Sequence, residues 1–167
     1  EADEYDRTFH GLRPEIAVVT NVEMDHPDCY TDLADMQAAF ATFLEGVASG
    51  GYVVACADSP ALGETLRGAG RLRARVVTYG RAAGAAYRLV ENAPDSAGGT
   101  RIRVGREGAD WLAGRLAVPG EHNALNATAA LAVADLLGLD GERALAALAT
   151  FGGVTRHFQI KGEAGGV

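Results

Sequence analysis

Three short apolar segments are the feature that most limits how this chain can fold. They read EIAVVT (15–20), YVVAC (52–56) and ARVVTYG (74–80). A short run without polar alternation is typical of a strand that is covered on both faces, as in a parallel sheet. The spacing of about thirty residues leaves room for a crossover helix between strands. The pattern therefore predicts an α/β fold in which a mostly parallel sheet is flanked by helices through right-handed crossovers.

Helical patterns occupy the gaps and the later part of the chain. In segment 31–48 apolar residues recur at steps of three and four, which gives that segment one face for the core. Cap residues set the expected limits. Helices are predicted over 31–48 with Thr31 as the cap and Gly50-Gly51 as the stop, over 59–67 with Ser59 as the cap, over 122–137 ended by Gly138, and over 141–150.

The pattern changes after residue 80. Segments 85–91, 100–106 and 111–118 are short, partly alternating and separated by Asp, Ser and Gly turns. This spacing is typical of a small antiparallel sheet. The later segment FGGV (151–154) is predicted to be a hinge or linker.

Charge and composition exclude some function classes. A net charge of −7 argues against nucleic acid as a partner, since such partners need a basic surface. No segment approaches the roughly 20 apolar residues of a membrane span. The only two cysteines, Cys29 and Cys56, are far apart, which favours a reducing cytoplasm. Residues 1–35 carry ten Asp and Glu against two Arg, and a solvated acidic surface is the simplest explanation.

The acidic segment NVEMDHPDCY (21–30) directly follows the first apolar segment. Parallel sheets bind ligands beyond the carboxyl ends of their strands, so this segment lies where a site is expected. Carboxylate oxygens suit a hard cation such as Mg²⁺, and imidazole is a less usual ligand that could instead orient substrate or water. The candidates for such a site are Glu1, Glu4, Asp25 and His26. The alternative is a surface turn shaped by Pro27.

Polar groups also gather in GEHNALNAT (120–128), where His122, Asn123 and Asn126 open a predicted helix. A helix N-terminus with amide side chains can hold a phosphate or read a purine edge, and the alternative is an ordinary N-cap. The pair Arg156-His157 follows the predicted linker. Such a pair can close over a phosphate or be simply a solvated charge.

Four motifs in order resemble the Mur ligase family over the whole chain. They are EADEYDRTF (1–9), VVTNVEMDHPDCY (18–30), PGEHNALNATAA (119–130) and RHFQIKGEAGGV (156–167). The resemblance implies an ATP-dependent amide ligase of P-loop type. The 14-residue interval between Asp6 and Asn21 is similar to that of the branch that adds L-alanine to UDP-N-acetylmuramate in peptidoglycan precursor synthesis.

The resemblance also implies roles for individual residues. In this family the substrate carboxylate attacks the γ-phosphate of ATP, and the amine of L-alanine then attacks the acyl phosphate. By position, Glu1 and His26 match residues associated with Mg²⁺ and catalysis. His122, Asn123 and Asn126 match the adenine-binding residues, and Arg156 and His157 match the pair near the ATP phosphates.

The chain departs from the family pattern at Arg156-His157-Phe158-Gln159, where the family usually shows two arginines before the phenylalanine and often an acidic residue after it. Position 41, which holds a modified lysine in several relatives, is Ala41, as expected for the L-alanine branch. The alternatives to this branch are a muropeptide-recycling ligase, another member of the superfamily, and a truncated non-catalytic binding module.

The family's GxxGKT phosphate loop is expected before Glu1. Residues 1–152 are therefore predicted to be the C-terminal portion of the central ATP-binding domain, and residues 153–167 the linker and the start of the next domain. The isolated chain is expected to lack ligase activity. A sheet edge exposed in this way could pair with a second copy to give a homodimer.

Overall fold

A computed structural model describes residues 2–96 and 98–153 of the chain. Six strands form one sheet in the order β1 to β6, with helices on its faces. The strands are β1 (Ile16–Val19), β2 (Tyr52–Cys56), β3 (Arg75–Gly80), β4 (Tyr87–Pro94), β5 (Thr100–Arg106) and β6 (Ala109–Leu116). The helices are a 3-10 helix (Tyr5–Gly11), α1 (Leu33–Glu45), α2 (Pro60–Gly68), α3 (Glu121–Leu136) and α4 (Gly141–Leu148).

The first three strands are parallel, as the apolar segments predicted. Ile16 lies opposite Tyr52, and Tyr52 lies opposite Arg75. The prediction that both faces of the first strand are covered is wrong. Val18 shares a face with its fully buried partner Val54 but is 44% exposed itself. The reason is that β1 is an edge strand and that α3, on this face, packs against β2, β3 and β4.

The last three strands are antiparallel to one another, as predicted, but they continue the main sheet. Strand β4 pairs in parallel with β3 through Tyr79–Tyr87 and Gly80–Arg88. Strands β5 and β6 then add in antiparallel register. The sheet is therefore mixed and mostly parallel at its β1 end, and it confirms the α/β class.

Helix ends follow the expected chemistry with one correction. The cap of α1 is Asp32, whose side chain accepts a hydrogen bond from the Asp35 N–H at 2.8 Å, rather than Thr31. The helix ends at Glu45, three residues earlier than predicted. Ser59 caps α2 as predicted, accepting from the Leu62 N–H at 3.3 Å.

Gly138 ends α3 in a left-handed conformation, with φ of 73°. Its N–H donates to the carbonyl of Asp135, and the N–H of Leu139 donates to the carbonyl of Ala134. These two bonds satisfy carbonyl groups at the end of the helix, in the arrangement known as a Schellman motif. The predicted glycine stop is confirmed.

The 3-10 helix near the start of the chain was not predicted. Phe9 anchors it in the core, with its ring 5.2 Å from Phe40 and 5.1 Å from Phe43. Arg7 bonds both carboxylate oxygens of Asp35, at 2.8 and 2.7 Å, which fastens the helix to α1. This contact holds residues 4–6 close to the acidic segment 21–30.

Two further observations concern the outside of the molecule. Among the described residues, no helix combines the length and the apolar content that crossing a bilayer requires. Strand β1 lies at an edge of the sheet, and its pairing with a second copy stays a prediction.

Candidate functional site

The described residues form a cavity of about 560 Å³ at the carboxyl ends of the parallel strands. One wall is the chain that continues from β1 and the turn that follows β2. The other wall is the beginning of α3, and Tyr79 of β3 lies between them. The lining residues are Thr20, Asn21, Val22, Glu23, Cys56, Asp58, Ser59, Pro60, Ala61, Tyr79, His122, Leu125 and Asn126. This is the position at which parallel sheets bind ligands.

The predicted nucleotide-binding residues at the start of α3 do not all line the cavity. His122 and Asn126 lie one helical turn apart and both line the cavity. Asn123 instead donates its side-chain N–H to the carbonyl of Pro119 at 2.7 Å. The N-cap residue is Gly120, with φ of 98° and no side-chain cap, so the interpretation of this segment as an ordinary N-cap is not supported.

Cys56 and Tyr79 give the cavity an uncharged inner wall. Both side chains are buried, and their polar ends interact with each other. Burial is the main cause that raises the pKa of the Cys56 thiol and the pKa of the Tyr79 hydroxyl. Both groups therefore stay neutral near pH 7, and this wall suits a flat, largely apolar ligand group such as an aromatic base.

A second cavity of about 210 Å³ adjoins the first and is acidic. Its lining residues are Glu4, Asn21, Glu23, Met24, Asp25, Met36 and Phe40. Asn21 and Glu23 line both cavities, and the Asn21 amide donates to the Glu23 carboxylate. The two cavities therefore have this pair as a common border.

Asn21 and Glu23 were not among the predicted site residues. The signal that could have found them is alternation, because they flank Val22, which is 3% exposed, on the extension of β1. The Asn21 amide bonds the Glu23 carboxylate, so these two side chains lie on the same side of the chain, and Val22 between them also lines the larger cavity.

His26 lies close to two of the other candidates for a cation site, Glu4 and Asp25. The His26 Nε2 lies 3.0 Å from Glu4 Oε1 and 3.9 Å from Asp25 Oδ2. The ring of Tyr5 meets the His26 ring edge-on, with the two ring centroids 5.3 Å apart. The backbone of His26 has φ of 52°, and its N–H donates to Asp25 Oδ1 at 2.7 Å. The histidine thus has a fixed position beside the acidic cavity.

The predicted magnesium site is incomplete in the part of the chain that the structure describes. Glu1, Arg156 and His157 lie outside the described residues. Within residues 2–96 and 98–153, no three His, Cys, Asp or Glu side chains converge as metal ligands would. His26 is engaged by Glu4. Binding of Mg²⁺ at Glu1 and His26 therefore stays a prediction.

The contact with Glu4 should be visible in the titration of His26. The hydrogen bond that the His26 ring donates to the Glu4 carboxylate is the main cause that raises the pKa of His26 above its usual value of about 6.5. Because the pKa of His26 is higher in the folded state, its contact with Glu4 stabilises the folded protein. This contribution is complete below about pH 6.5 and is lost as the pH rises through the folded pKa. We expect Glu4→Gln to lower the pKa of His26, measured by NMR titration of its ring with EDTA present.

A matched control for this titration is Glu23→Gln. It removes another carboxylate of the same acidic cavity, one that bonds Asn21 rather than His26. The pKa of His26 should change much less in Glu23→Gln than in Glu4→Gln. Equal changes would show that general charge, and not the contact at 3.0 Å, sets the pKa.

The fold and the cavity together define a class of protein. A mostly parallel sheet with a polar cavity at the carboxyl ends of its strands, bordered by a helix N-terminus, is typical of nucleotide-binding α/β domains. Comparison with known proteins makes this specific. Residues 1–134 match the family model described as Mur ligase middle domain, and the chain belongs to that family.

Relatives support this membership over the whole chain. The chain is 46% identical over 170 residues to UDP-N-acetylmuramate–L-alanine ligase of Salinispora arenicola, and the match covers 100% of the chain and 32% of that protein. It is 47% identical to the protein of the same name from an Arthrobacter species, covering 100% of the chain and 35% of that protein. The chain thus spans about a third of the length of these curated relatives.

A solved structure supports the same family membership. The UDP-N-acetylmuramate-alanine ligase of Thermotoga maritima superposes with a TM-score of 0.80 at 30% identity. The match covers 99% of this chain and 35% of that one. The α/β fold, the mixed sheet and the family assigned from the four motifs are confirmed.

Proposed function

We propose that this chain is part of an ATP-dependent ligase that joins L-alanine to UDP-N-acetylmuramate. The observation that carries the proposal is the pair of adjoining cavities, one with an uncharged wall facing His122 and Asn126, the other lined by Glu4, Glu23 and Asp25. The relatives named for this reaction, at 46% and 47% identity, support the choice of substrates.

The larger cavity would take the adenine nucleotide. The base would lie against Tyr79 and Cys56, where an apolar wall favours its face. The Asn126 amide has both donors and an acceptor and can pair with a purine edge. The start of α3 is the positive end of the helix dipole and favours negative charge, as in other helix N-termini that face phosphates.

The acidic cavity would hold the reacting groups of the substrates. In the proposed reaction the carboxylate of UDP-N-acetylmuramate attacks the γ-phosphate of ATP, and the amine of L-alanine displaces phosphate from the acyl phosphate. Bound Mg²⁺ would neutralise the phosphate charge. Glu4 would hold the ring of His26 in place, and Asn21 with Glu23 would border both substrates. Arg156 and His157 would serve the ATP phosphates, as the family resemblance implies.

The proposal is tested with the full-length protein that contains this chain. ADP release is measured with ATP and Mg²⁺ while UDP-N-acetylmuramate and L-alanine are supplied singly and together. We expect sustained ADP release only when both are present, because without L-alanine the acyl phosphate is not consumed and at most one ADP forms per enzyme. Turnover with a tripeptide in place of L-alanine would instead identify a recycling ligase, and no turnover with any acceptor would favour a non-catalytic module. Because the reaction uses ATP, the proposal also implies a cytoplasmic location.

A further inference from the structure

Asp58, in the wall of the larger cavity, accepts two hydrogen bonds from the backbone of a neighbouring turn. It follows β2 and lines the cavity beside the cap of α2. Its Oδ2 accepts from the Arg81 N–H at 2.7 Å, and its Oδ1 accepts from the Ala82 N–H at 2.9 Å. Bonds to a charged acceptor are stronger than neutral ones. One carboxylate therefore joins the turn after β2 to the turn after β3 through two backbone bonds.

Gly80 is adapted to this contact. Its φ is +142°, and a Cβ there would lie 2.7 to 2.9 Å from the Asp58 carboxylate atoms. A side chain at position 80 would push the carboxylate away. The turn after β3 can approach Asp58 this closely because position 80 is glycine.

The turn after β3 reaches on to the opposite wall. Arg81 Nη1 lies 3.3 Å from Glu121 Oε2 in the first turn of α3. The Asn92 amide donates to the same oxygen at 3.3 Å. The ion pair is about half exposed and weak by itself. The Arg81 backbone is held by two bonds, because its N–H donates to Asp58 and its carbonyl accepts from Arg88 Nε at 3.1 Å. Glu121 directly precedes His122, which lines the cavity.

We propose that Asp58 is a positioning residue for nucleotide binding. Through the turn at Gly80–Ala82 and through Glu121, it fixes the spacing between the wall that follows β2 and the beginning of α3, and thereby the positions of His122 and Asn126 around the base. Both carboxylate oxygens accept backbone bonds from the turn, and the proposed role is to act through these residues. The inference rests on the proposed function.

The test is Asp58→Asn in the full-length protein, assayed for ATP turnover. The substitution keeps the shape of the side chain but sets an amide NH₂ against one backbone N–H. We expect the KM for ATP to rise about tenfold, as the loss of one bond to a charged group of about 1.5 kcal/mol implies, while kcat changes less than about threefold. If Asp58 served only to stabilise the fold, Asp58→Asn would lower Tm and the yield of folded protein but leave the KM for ATP unchanged.

Asp140→Asn is the matched control. Asp140 caps α4 by the same kind of bond, accepting from the Arg143 N–H at 2.8 Å, and is not among the residues that line the cavity. We expect it to lower Tm slightly and leave the KM for ATP unchanged. An unchanged KM in folded Asp58→Asn, or an equal rise in Asp140→Asn, would overturn the inference.

A second variant tests the same inference if Asp58→Asn does not fold. Glu121→Gln alters an exposed side chain and weakens the other end of the connection. We expect a rise of about threefold in the KM for ATP that shrinks at high salt, since exposed ion pairs are screened. No rise would overturn the inference. If the unmodified protein shows no ATP turnover, the proposed function fails first, and this inference fails with it.

Discussion

Replacement of Asn126 by leucine should raise the KM for ATP of the full-length protein about 10- to 100-fold. Asn126 lines the larger cavity from the second turn of α3, where its amide can pair with the edge of a base. Leucine has the same branching and number of heavy atoms, but it leaves polar atoms of the bound base without partners, at a cost of about 1–3 kcal/mol. Leucine also favours helix more than asparagine does, so Tm should not fall.

Asn123→Leu is the control for this prediction, and it separates two roles that the sequence motif treats alike. The Asn123 amide bonds the carbonyl of Pro119, which closes the loop before α3. Its loss should lower Tm and raise the KM for ATP much less than the loss of Asn126 does. A larger change in KM for Asn123→Leu than for Asn126→Leu would contradict the assignment of Asn126 to the base.

The parallel pairing of the first three strands could be predicted because it depends on local pattern. Apolar runs separated by helical segments require a parallel sheet, and the carboxyl ends of such strands gather polar loops. The exposure of Val18 could not be predicted from its own segment, since it depends on how far α3 extends across the sheet. The choice of Asp32 over Thr31 as the cap of α1 was also beyond the sequence, because both residue types cap well.

The parts of the candidate site that a motif or a group of charges marks could be predicted. The parts that depend only on closeness in the folded structure could not. His26 and Glu4 were named from their chemistry, and they lie 3.0 Å apart. The contact of Asp58 with the backbone of Arg81 joins residues 23 positions apart, and ordinary turn chemistry at ADSP (57–60) gives no sign of it. Such contacts follow from the register of β2 and β3, which only the assembled sheet defines.

Gly51 shows how a correct local interpretation can miss a tertiary role. Gly50-Gly51 was interpreted as the end of a helix, and α1 does end before it. In the sheet, however, Gly51 lies directly against the backbone that precedes β1. A Cβ at Gly51 would be 2.2 Å from the carbonyl oxygen of Glu15 and 3.0 Å from that of Ala48. The Tyr52 N–H donates to the same Glu15 oxygen at 2.9 Å.

Gly51→Ala should therefore destabilise the protein by about 3 kcal/mol or more, since the added atom meets backbone that cannot rotate away. For a unit of this size, that corresponds to a fall in Tm of about 6–12 °C, measured by thermal unfolding of the full-length protein. Relief would require β1 to move away from β2, which would disturb the beginning of the segment that carries Asn21 and Glu23.

Gly68→Ala is the matched control, because a Cβ at Gly68 meets nothing within 4 Å and its backbone is not left-handed. At the end of α2, alanine should leave Tm unchanged or raise it slightly, as it does at helical positions with open space. If Gly51→Ala and Gly68→Ala unfold at the same temperature, β1 and β2 are not as closely joined as the bond between Tyr52 and Glu15 indicates. In that case the walls of the cavity would depend on α3 more than on the parallel strands.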